Sequence, residues 1–288
     1  MPDPLSSFLA ALDLTDTGAR TSEDIFTGPS QWMPEGRVFG GQVLAQSLIA
    51  AGRTVGDDHG VHSMHGYFLR PGDVSLPITF SVDRIHDGRS FSTRRTQAYQ
   101  NGAPILSMIA SFQTEDEGLD HQTPMPEGVP DPEALPSTAE VLAGVDHPVG
   151  SFWATQRPFD VRHVEQPVYL RADPQQVAHQ SVWMRALGPL PDDPMLHRAA
   201  LAYASDYTIL ESTLRRHGAA WITPGLRIAS LDHAMWWHRP ARVDEWLLYV
   251  QEAPSASGGR GLSLGRIYSR DGLLVASVAQ EGMVRVPR

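Results

Sequence analysis

A carboxylate interrupts an otherwise apolar helical stripe in the second half of the chain. Within segment 199–210, Asp206 falls on the stripe formed by Ala199, Ala202 and Leu210. An ionised carboxylate costs free energy there unless several donors hydrogen-bond to it. A buried aspartate that caps or bridges backbone groups would explain the same pattern, so Asp206 alone leaves both interpretations open.

Two strand-like segments carry the same kind of intrusion. Period-two alternation places Ser230 and Gln280 each on an otherwise apolar face. A single inward serine or glutamine is usually structural, but three polar intrusions in one half of the chain are harder to explain that way. The neighbours on the same face are, for Ser230, Leu226, Ile228, Ala234 and Trp236, and, for Gln280, Leu274, Ala276, Val278 and Val284.

The chain contains two copies of one strand pattern, about 170 residues apart. Segment 61–71 matches segment 230–240, and both end in Arg-Pro. After a one-residue slip, segment 102–107 matches segment 272–277. A period this long is too large for a solenoid and fits a duplicated domain.

The repeat provides an internal control for the polar residues. Val61 stands where the second copy has Ser230, and Ala110 stands where it has Gln280. The first copy forms its pattern without these polar groups, so the fold does not require them. We therefore interpret Asp206, Ser230 and Gln280 as one functional constellation in the second copy.

Composition excludes several chemistries. The chain has no cysteine, and all 23 of its Lys+Arg residues are arginine. Thiolate nucleophiles, disulfides, thiolate metal sites, Schiff-base lysines and P-loop lysines are therefore excluded. The formal net charge of −10 argues against a nucleic-acid partner. We expect no cofactor and no metal site.

The 288 residues predict two tandem units, each with a largely apolar helix followed by an antiparallel sheet that wraps it. We place the first unit at residues 1–113, an acidic, proline-rich linker at 114–150, and the second unit at 151–288. In the second unit we predict one helix over 192–217 and a continuous strand over 226–237. No apolar run approaches the roughly 20 residues of a membrane-spanning helix.

The polar residues and their surroundings resemble the acyl-CoA thioesterase II family, whose members have a double hotdog fold of class α+β. The resemblance spans most of the chain from residue 37 onward. Its matching stretches include Phe39-Gly-Gly-Gln42, Tyr203-Ala-Ser-Asp206, Leu231-Asp-His-Ala-Met-Trp236 and Gln280-Glu-Gly282. By motif position, the family's catalytic residues fall on Asp206, Ser230 and Gln280. Many members carry threonine where this chain has Ser230, which keeps the hydroxyl but is held less rigidly.

The resemblance implies hydrolysis of fatty acyl-CoA to a free fatty acid and CoA by a positioned water, without a covalent intermediate. Asp206 would orient and deprotonate the water, and Ser230 and Gln280 would complete its hydrogen bonds. Partial burial should raise the pKa of Asp206 and make it a stronger base.

Four further residues are candidates for substrate binding. Gly40 and Gly41 begin a helix whose backbone N–H groups could bind an oxyanion, although tight packing would also explain them. Arg94 belongs to an arginine group that could bind an anionic ligand or simply form an exposed strand face. Trp236 could line an acyl channel, but aromatic residues on strands more often belong to the core.

Two other patterns lack the context that they require. Ser263 lies in a G-x-S-x-G sequence, but the chain continues as a strand instead of turning into a helix. His62 and His65 fall on opposite faces of a strand, so they do not form a metal cluster.

Two alternative functions are weighed against hydrolysis. An acyl-CoA-binding or sensing protein gains support from Ser230 in place of threonine. A hotdog enoyl-thioester hydratase would need an Asp/His pair and a loop that this sequence lacks. We expect a cytoplasmic protein, because the N-terminus lacks a signal-peptide pattern, and a homo-oligomer, because the family suggests further association.

Overall fold

The computed structural model describes residues 3–19 and 21–286, and its strands form one continuous sheet. The helices are Pro4–Leu12 (α1), Gly40–Gly52 (α2), Thr138–Val141 (α3), Pro148–Thr155 (α4), Pro194–Ser205 (α5) and Glu211–Arg216 (α6). The strands are Thr15–Asp16 (β1), Asp24–Gly28 (β2), His59–Phe68 (β3), Ile78–Asp87 (β4), Phe91–Gln100 (β5), Ala103–Thr114 (β6), Phe159–His163 (β7), His179–Ala186 (β8), Arg227–Ser230 (β9), Asp232–Trp237 (β10), Leu247–Ser257 (β11), Arg260–Ser269 (β12) and Leu274–Arg285 (β13).

The strand order repeats on the two sides of a central seam. The first unit contributes β1-β2-β4-β5-β6-β3 and the second contributes β10-β13-β12-β11-β8-β7, while β9 pairs with β13. At the seam β3 and β10 are antiparallel, with Met64 opposite Met235. The predicted α+β arrangement of two tandem units, each with a buried helix against an antiparallel sheet, is confirmed.

Helices α2 and α5 are buried against each other inside the curve of the sheet. Small residues allow this close approach: a Cβ on Gly41 would lie 2.4 Å from the backbone oxygen of Tyr203, and one on Gly52 would lie 3.1 Å from Met195. The two helices are therefore antiparallel, with the N-terminus of α2 beside the C-terminus of α5. Both belong to one hydrophobic cluster that spans the two units.

The predicted helix over 192–217 is wrong in one respect, because it is two helices. α5 ends at Ser205, Asp206 is its C-cap, and α6 begins only at Glu211. Between them the carbonyl of Thr208 accepts a hydrogen bond from the side chain of Gln180 at 3.3 Å. The same carbonyl also accepts from the backbone N–H of Glu211 at 2.9 Å, so the turn combines a local bond with a tertiary one, which the helical spacing of the sequence does not reveal.

The predicted continuous strand over 226–237 is also wrong, because it contains a bulge. Ser230 pairs with Gly282 on β13, but Ala234 pairs with Ala279, so the register shifts by one residue between them. A one-residue shift reverses the face on which later side chains lie. Ser230 and Trp236 consequently lie on opposite faces of the sheet.

The acidic segment 114–150 crosses the outer face of the second unit's half of the sheet. Gln122 hydrogen-bonds the backbone of Gly272 and Leu274, at 2.8 and 3.0 Å, and the indole of Trp183 donates to the carbonyl of Pro130 at 2.9 Å. These contacts cover a small apolar cluster on that face. Among the described residues, no helix has both the length and the apolar character needed to cross a membrane.

Candidate active site

The structure brings the three predicted polar residues together. Asp206 caps α5, Ser230 ends β9, and Gln280 lies in β13. The amide nitrogen Nε2 of Gln280 donates to Asp206 Oδ1 at 3.0 Å and to Ser230 Oγ at 2.8 Å. Ser230 Oγ is also 3.3 Å from Asp206 Oδ1, to which it can donate. The break after Ser205 and the bulge after Ser230 are therefore the two irregularities that position this cluster.

The first unit contributes backbone to the same place. A Cβ on Gly40 would lie only 2.7 Å from Asp206 Oδ2, so the N-terminus of α2 directly faces the carboxylate. The backbone N–H of Gly41 is close enough to that carboxylate to lower its pKa. The two glycines thus serve close helix packing, and their role as oxyanion donors stays a prediction.

Burial controls the protonation of Asp206. It raises the pKa of the carboxyl to about 6, against the opposing hydrogen bonds from Gln280, Gly41 and Ser230. Asp206 is therefore largely ionised at neutral pH, yet it is a stronger base than an exposed aspartate.

One buried residue behind the cluster was missed by the sequence analysis. His233 Nδ1 hydrogen-bonds Gln280 Oε1, and its Nε2 lies 3.0 Å from Ser205 Oγ. Burial lowers the pKa of His233 to about 4, although the bond to Gln280 acts in the opposite direction. A signal existed in the repeat, because Met64 occupies the matching position of the first copy.

A cavity of about 790 Å³ opens onto Asp206 and Ser230. Its wall includes residues of the linker segment and of α4, together with Phe39 and Gly40 from the first unit. The buried part of the wall includes Arg157, whose guanidinium lies 4.8 Å from the Trp153 ring centroid and 4.5 Å from that of Tyr207. Part of segment 114–150, which we predict to be a linker, therefore lies in the cavity wall.

The exposed part of the cavity wall carries two arginines, Arg37 and Arg227, and one carboxylate, Glu35. Neither arginine forms an ion pair with a carboxylate among residues 3–19 and 21–286. The buried part of the cavity is lined mainly by apolar and aromatic side chains, among them Leu142, Tyr169 and Leu210. The cavity opening thus has two cationic side chains and one anionic side chain, and the interior is largely apolar.

Two of the substrate-binding candidates lie elsewhere. Arg94 is buried in the first unit, where its guanidinium donates to the side chain and carbonyl of Thr54 at 2.8 and 2.9 Å. Trp236 lies on the outer face of the sheet, with its ring centroid 5.1 Å from that of exposed His65. Neither residue lines the cavity.

Ser263 lies in the middle of β12, as the sequence predicts. Its hydroxyl is within hydrogen-bond distance of Ser212 and Thr213, at 3.2 and 3.3 Å, and the side chain is fully buried. His62 bonds Ser111 at 2.9 Å instead of joining a group with His65. These contacts are structural.

Comparison with known proteins gives a consistent result over both units. The family model described as "Acyl-CoA thioesterase" matches residues 154–283, and that described as "Acyl-CoA thioesterase N-terminal domain" matches residues 28–113. Acyl-CoA thioesterase 2 of Haemophilus influenzae is 36% identical over 291 residues, covering 99% of each chain. Acyl-coenzyme A thioesterase 8 of Homo sapiens is 38% identical over 275 residues, covering 92% of this chain and 85% of that one.

Solved structures agree with this similarity. The crystal structure of the acyl-CoA thioesterase II TesB2 from Mycobacterium marinum has a TM-score of 0.78 and 43% identity, and covers 98% of each chain. A protein of unknown function with a hotdog fold from Alicyclobacillus acidocaldarius has a TM-score of 0.79 at 22% identity, covering 98% of this chain and 99% of that one. The second likeness bears on the fold alone.

Proposed function

The chain belongs to the acyl-CoA thioesterase family and is a double hotdog thioester hydrolase acting on acyl-CoA, and from this premise we propose that Asp206, Ser230 and Gln280 hold the attacking water. We take the second unit, residues 151–288, as the half that carries this chemistry. The observation that supports the proposal most strongly is the hydrogen bonding of all three side chains to one another at the cavity wall.

The reaction follows from the proton that Asp206 can accept. Its carboxylate takes a proton from the water as the water oxygen bonds to the thioester carbon. The carbonyl oxygen becomes an oxyanion, and we assign the backbone N–H of Gly40, at the start of α2, as its donor. The C–S bond then breaks, and the proton on Asp206 passes to the leaving CoA sulfur. The products are a fatty acid and CoA.

Direct attack by water agrees with the side chains that are present. The chain has no cysteine. Ser230 bonds Asp206 and Gln280, while His233 is occupied by Gln280 and Ser205. Ser230 therefore has no histidine base beside it in the described part of the chain, and a covalent acyl-serine is not part of the proposal.

The charge of the cavity supports one orientation of the substrate. The apolar interior suits a fatty acyl chain, and Arg37 and Arg227 at the opening suit the phosphates of CoA. The thioester carbon would then lie between these regions, next to Asp206.

The decisive test is Asp206→Asn with acyl-CoAs of graded chain length, with release of free thiol as the measurement. We expect kcat to fall by about 10²- to 10⁴-fold, the usual contribution of a general base. Asp83→Asn, which changes a surface carboxylate of the first unit, is the control and should retain full activity. Near-wild-type hydrolysis by Asp206→Asn would exclude it as the base.

We further propose that the protein acts as a homo-oligomer in the cytoplasm. Support for association comes from apolar side chains on the outer face of the sheet, where Tyr67 is 63% exposed and Ile109 is 47% exposed. The absence of cysteine from the sequence is compatible with a reducing compartment. Light scattering of the purified protein tests the oligomer, and a single-chain mass would reject it.

A further inference from the structure

His233 is a fully buried polar residue that touches the proposed site from behind. It lies on β10, and its Nδ1 meets the side-chain oxygen of Gln280. On the other side, its Nε2 lies 3.0 Å from the hydroxyl of Ser205, the last residue of α5. The three side chains form a line from the helix to the catalytic cluster.

The hydrogen bonds of Gln280 determine the direction of this line. Its Nε2 has two hydrogens, and these face Asp206 Oδ1 and Ser230 Oγ at 3.0 and 2.8 Å. Its Oε1 can only accept, so the proton between Gln280 and His233 must be on Nδ1. The Nε2 of the neutral imidazole is then an acceptor that faces the Ser205 hydroxyl, whose one hydrogen is shared between Nε2 and the carbonyl of Ala202, 2.9 Å away.

We propose that His233 is a positioning residue: by donating from Nδ1 it holds the Gln280 carboxamide with its NH₂ group toward Asp206, while Ser205 contacts its other ring nitrogen. The inference rests on the proposed function. The opposite orientation of the carboxamide would place Oε1 against the Asp206 carboxylate, where two acceptors repel each other. Without His233, less would hold the carboxamide in one orientation.

The first unit shows that the fold does not need this histidine. There Met64 lies opposite Ala110, and these two residues match His233 and Gln280, whose side chains are hydrogen-bonded in the second unit. The first copy, which lacks counterparts of Asp206 and Ser230, thus also lacks counterparts of His233 and Gln280. The low pKa of His233 also leaves it neutral at working pH, so its contribution is directional and not a charge.

The test compares His233→Met, which installs the residue of the first unit, with His233→Asn. The Nδ2 of asparagine occupies nearly the position of Nδ1 and keeps a donor for Gln280. We expect His233→Met to lower kcat by about 10- to 100-fold, because a carboxamide that turns loses the Gln280 hydrogen bond to the Asp206 carboxylate, with KM within about threefold. His233→Asn should recover most of that loss.

The pH profile separates positioning from a merely structural role. If the carboxamide turns, Asp206 loses a donor, its carboxylate is less stabilised, and its pKa rises. The acid limb of kcat/KM should therefore move to higher pH in His233→Met and return toward the wild-type position in His233→Asn. A loss of packing alone would lower the melting temperature without moving that midpoint. His238→Met, an exposed histidine of the same segment bonded to Ser277, is the matched control.

Ser205→Ala provides an independent variant that leaves the imidazole in place. We expect a smaller fall in kcat and a shift of the acid limb in the same direction. The inference is overturned by a fully active His233→Met with an unmoved midpoint, or by equal losses in His233→Met and His233→Asn without a shift. If either result is found and Asp206→Asn is inactive, this role of His233 is rejected and the proposed function stands. If Asp206→Asn is active, the proposed function itself is rejected.

Discussion

Gln280 and Asp206 are 74 residues apart in the chain, yet Gln280 Nε2 donates to Asp206 Oδ1 at 3.0 Å. The bond connects a strand to the end of a helix. It is charge-assisted when Asp206 is ionised and loses strength when that carboxyl is protonated. Protonation of Asp206 therefore affects both the base and the alignment of the group beside it.

The raised pKa of Asp206 predicts that Asp206→Asn is more stable than the wild type at neutral pH. Between the ordinary pKa of 3.8 and the native value of about 6, the unfolded carboxyl is ionised while the native one still holds its proton. The contribution of Asp206 to the free energy of unfolding of the wild type therefore falls as the pH rises through this window and is constant above it. The asparagine side chain does not titrate, so the variant does not lose stability in this way. We expect a difference of about 1 to 3 kcal/mol at pH 8 that vanishes below pH 4.

Urea denaturation of both proteins at pH 4 and pH 8 measures this difference. An equal stability difference at the two pH values would contradict the raised pKa. In activity measurements, the same carboxyl predicts that kcat/KM falls as pH drops through about 6.

Substitutions of Ser230 test the role of its hydroxyl. Ser230→Ala removes the acceptor of the Gln280 bond at 2.8 Å, and we expect kcat to fall by about 10-fold or more. Ser230→Thr keeps the hydroxyl and restricts its rotamers, so its kcat should equal or exceed that of the wild type. Steady-state kinetics with one acyl-CoA are sufficient, and equal losses in both variants would show that the hydroxyl is not what matters.

The two arginines at the cavity opening predict a separation of KM from kcat. In the double variant Arg37→Gln/Arg227→Gln, we expect KM for acyl-CoA to rise by about 10-fold because two charged contacts to phosphate are removed, with kcat within twofold. An N-acetylcysteamine thioester of the same acyl group has no phosphates and serves as the control. If kcat/KM for this thioester fell by the same factor in the double variant, the two arginines would not act by binding phosphate.

The sequence is sufficient for the fold class and for the three polar residues that the structure brings together, because polar residues on apolar faces and the differences between the two copies are both visible in it. The same comparison of copies contains His233, which matches Met64, but the chain has 12 histidines and the repeat alone does not distinguish this one. Alternation failed at Trp236, since the bulge that reverses its face is a register shift between strands. Arg94 was misjudged because its partner Thr54 lies 40 residues away on the end of a helix.

The seam between β3 and β10 bears on how the activity per molecule responds to dilution. Asp206, Ser230 and Gln280 come from one unit, and the glycine backbone that faces them comes from the other. If these were separate chains, dilution would pull the two parts of the site apart and reduce the activity per molecule. Covalent linkage keeps the parts in equal number and at a fixed high local concentration, so the site can remain assembled even when the protein is scarce.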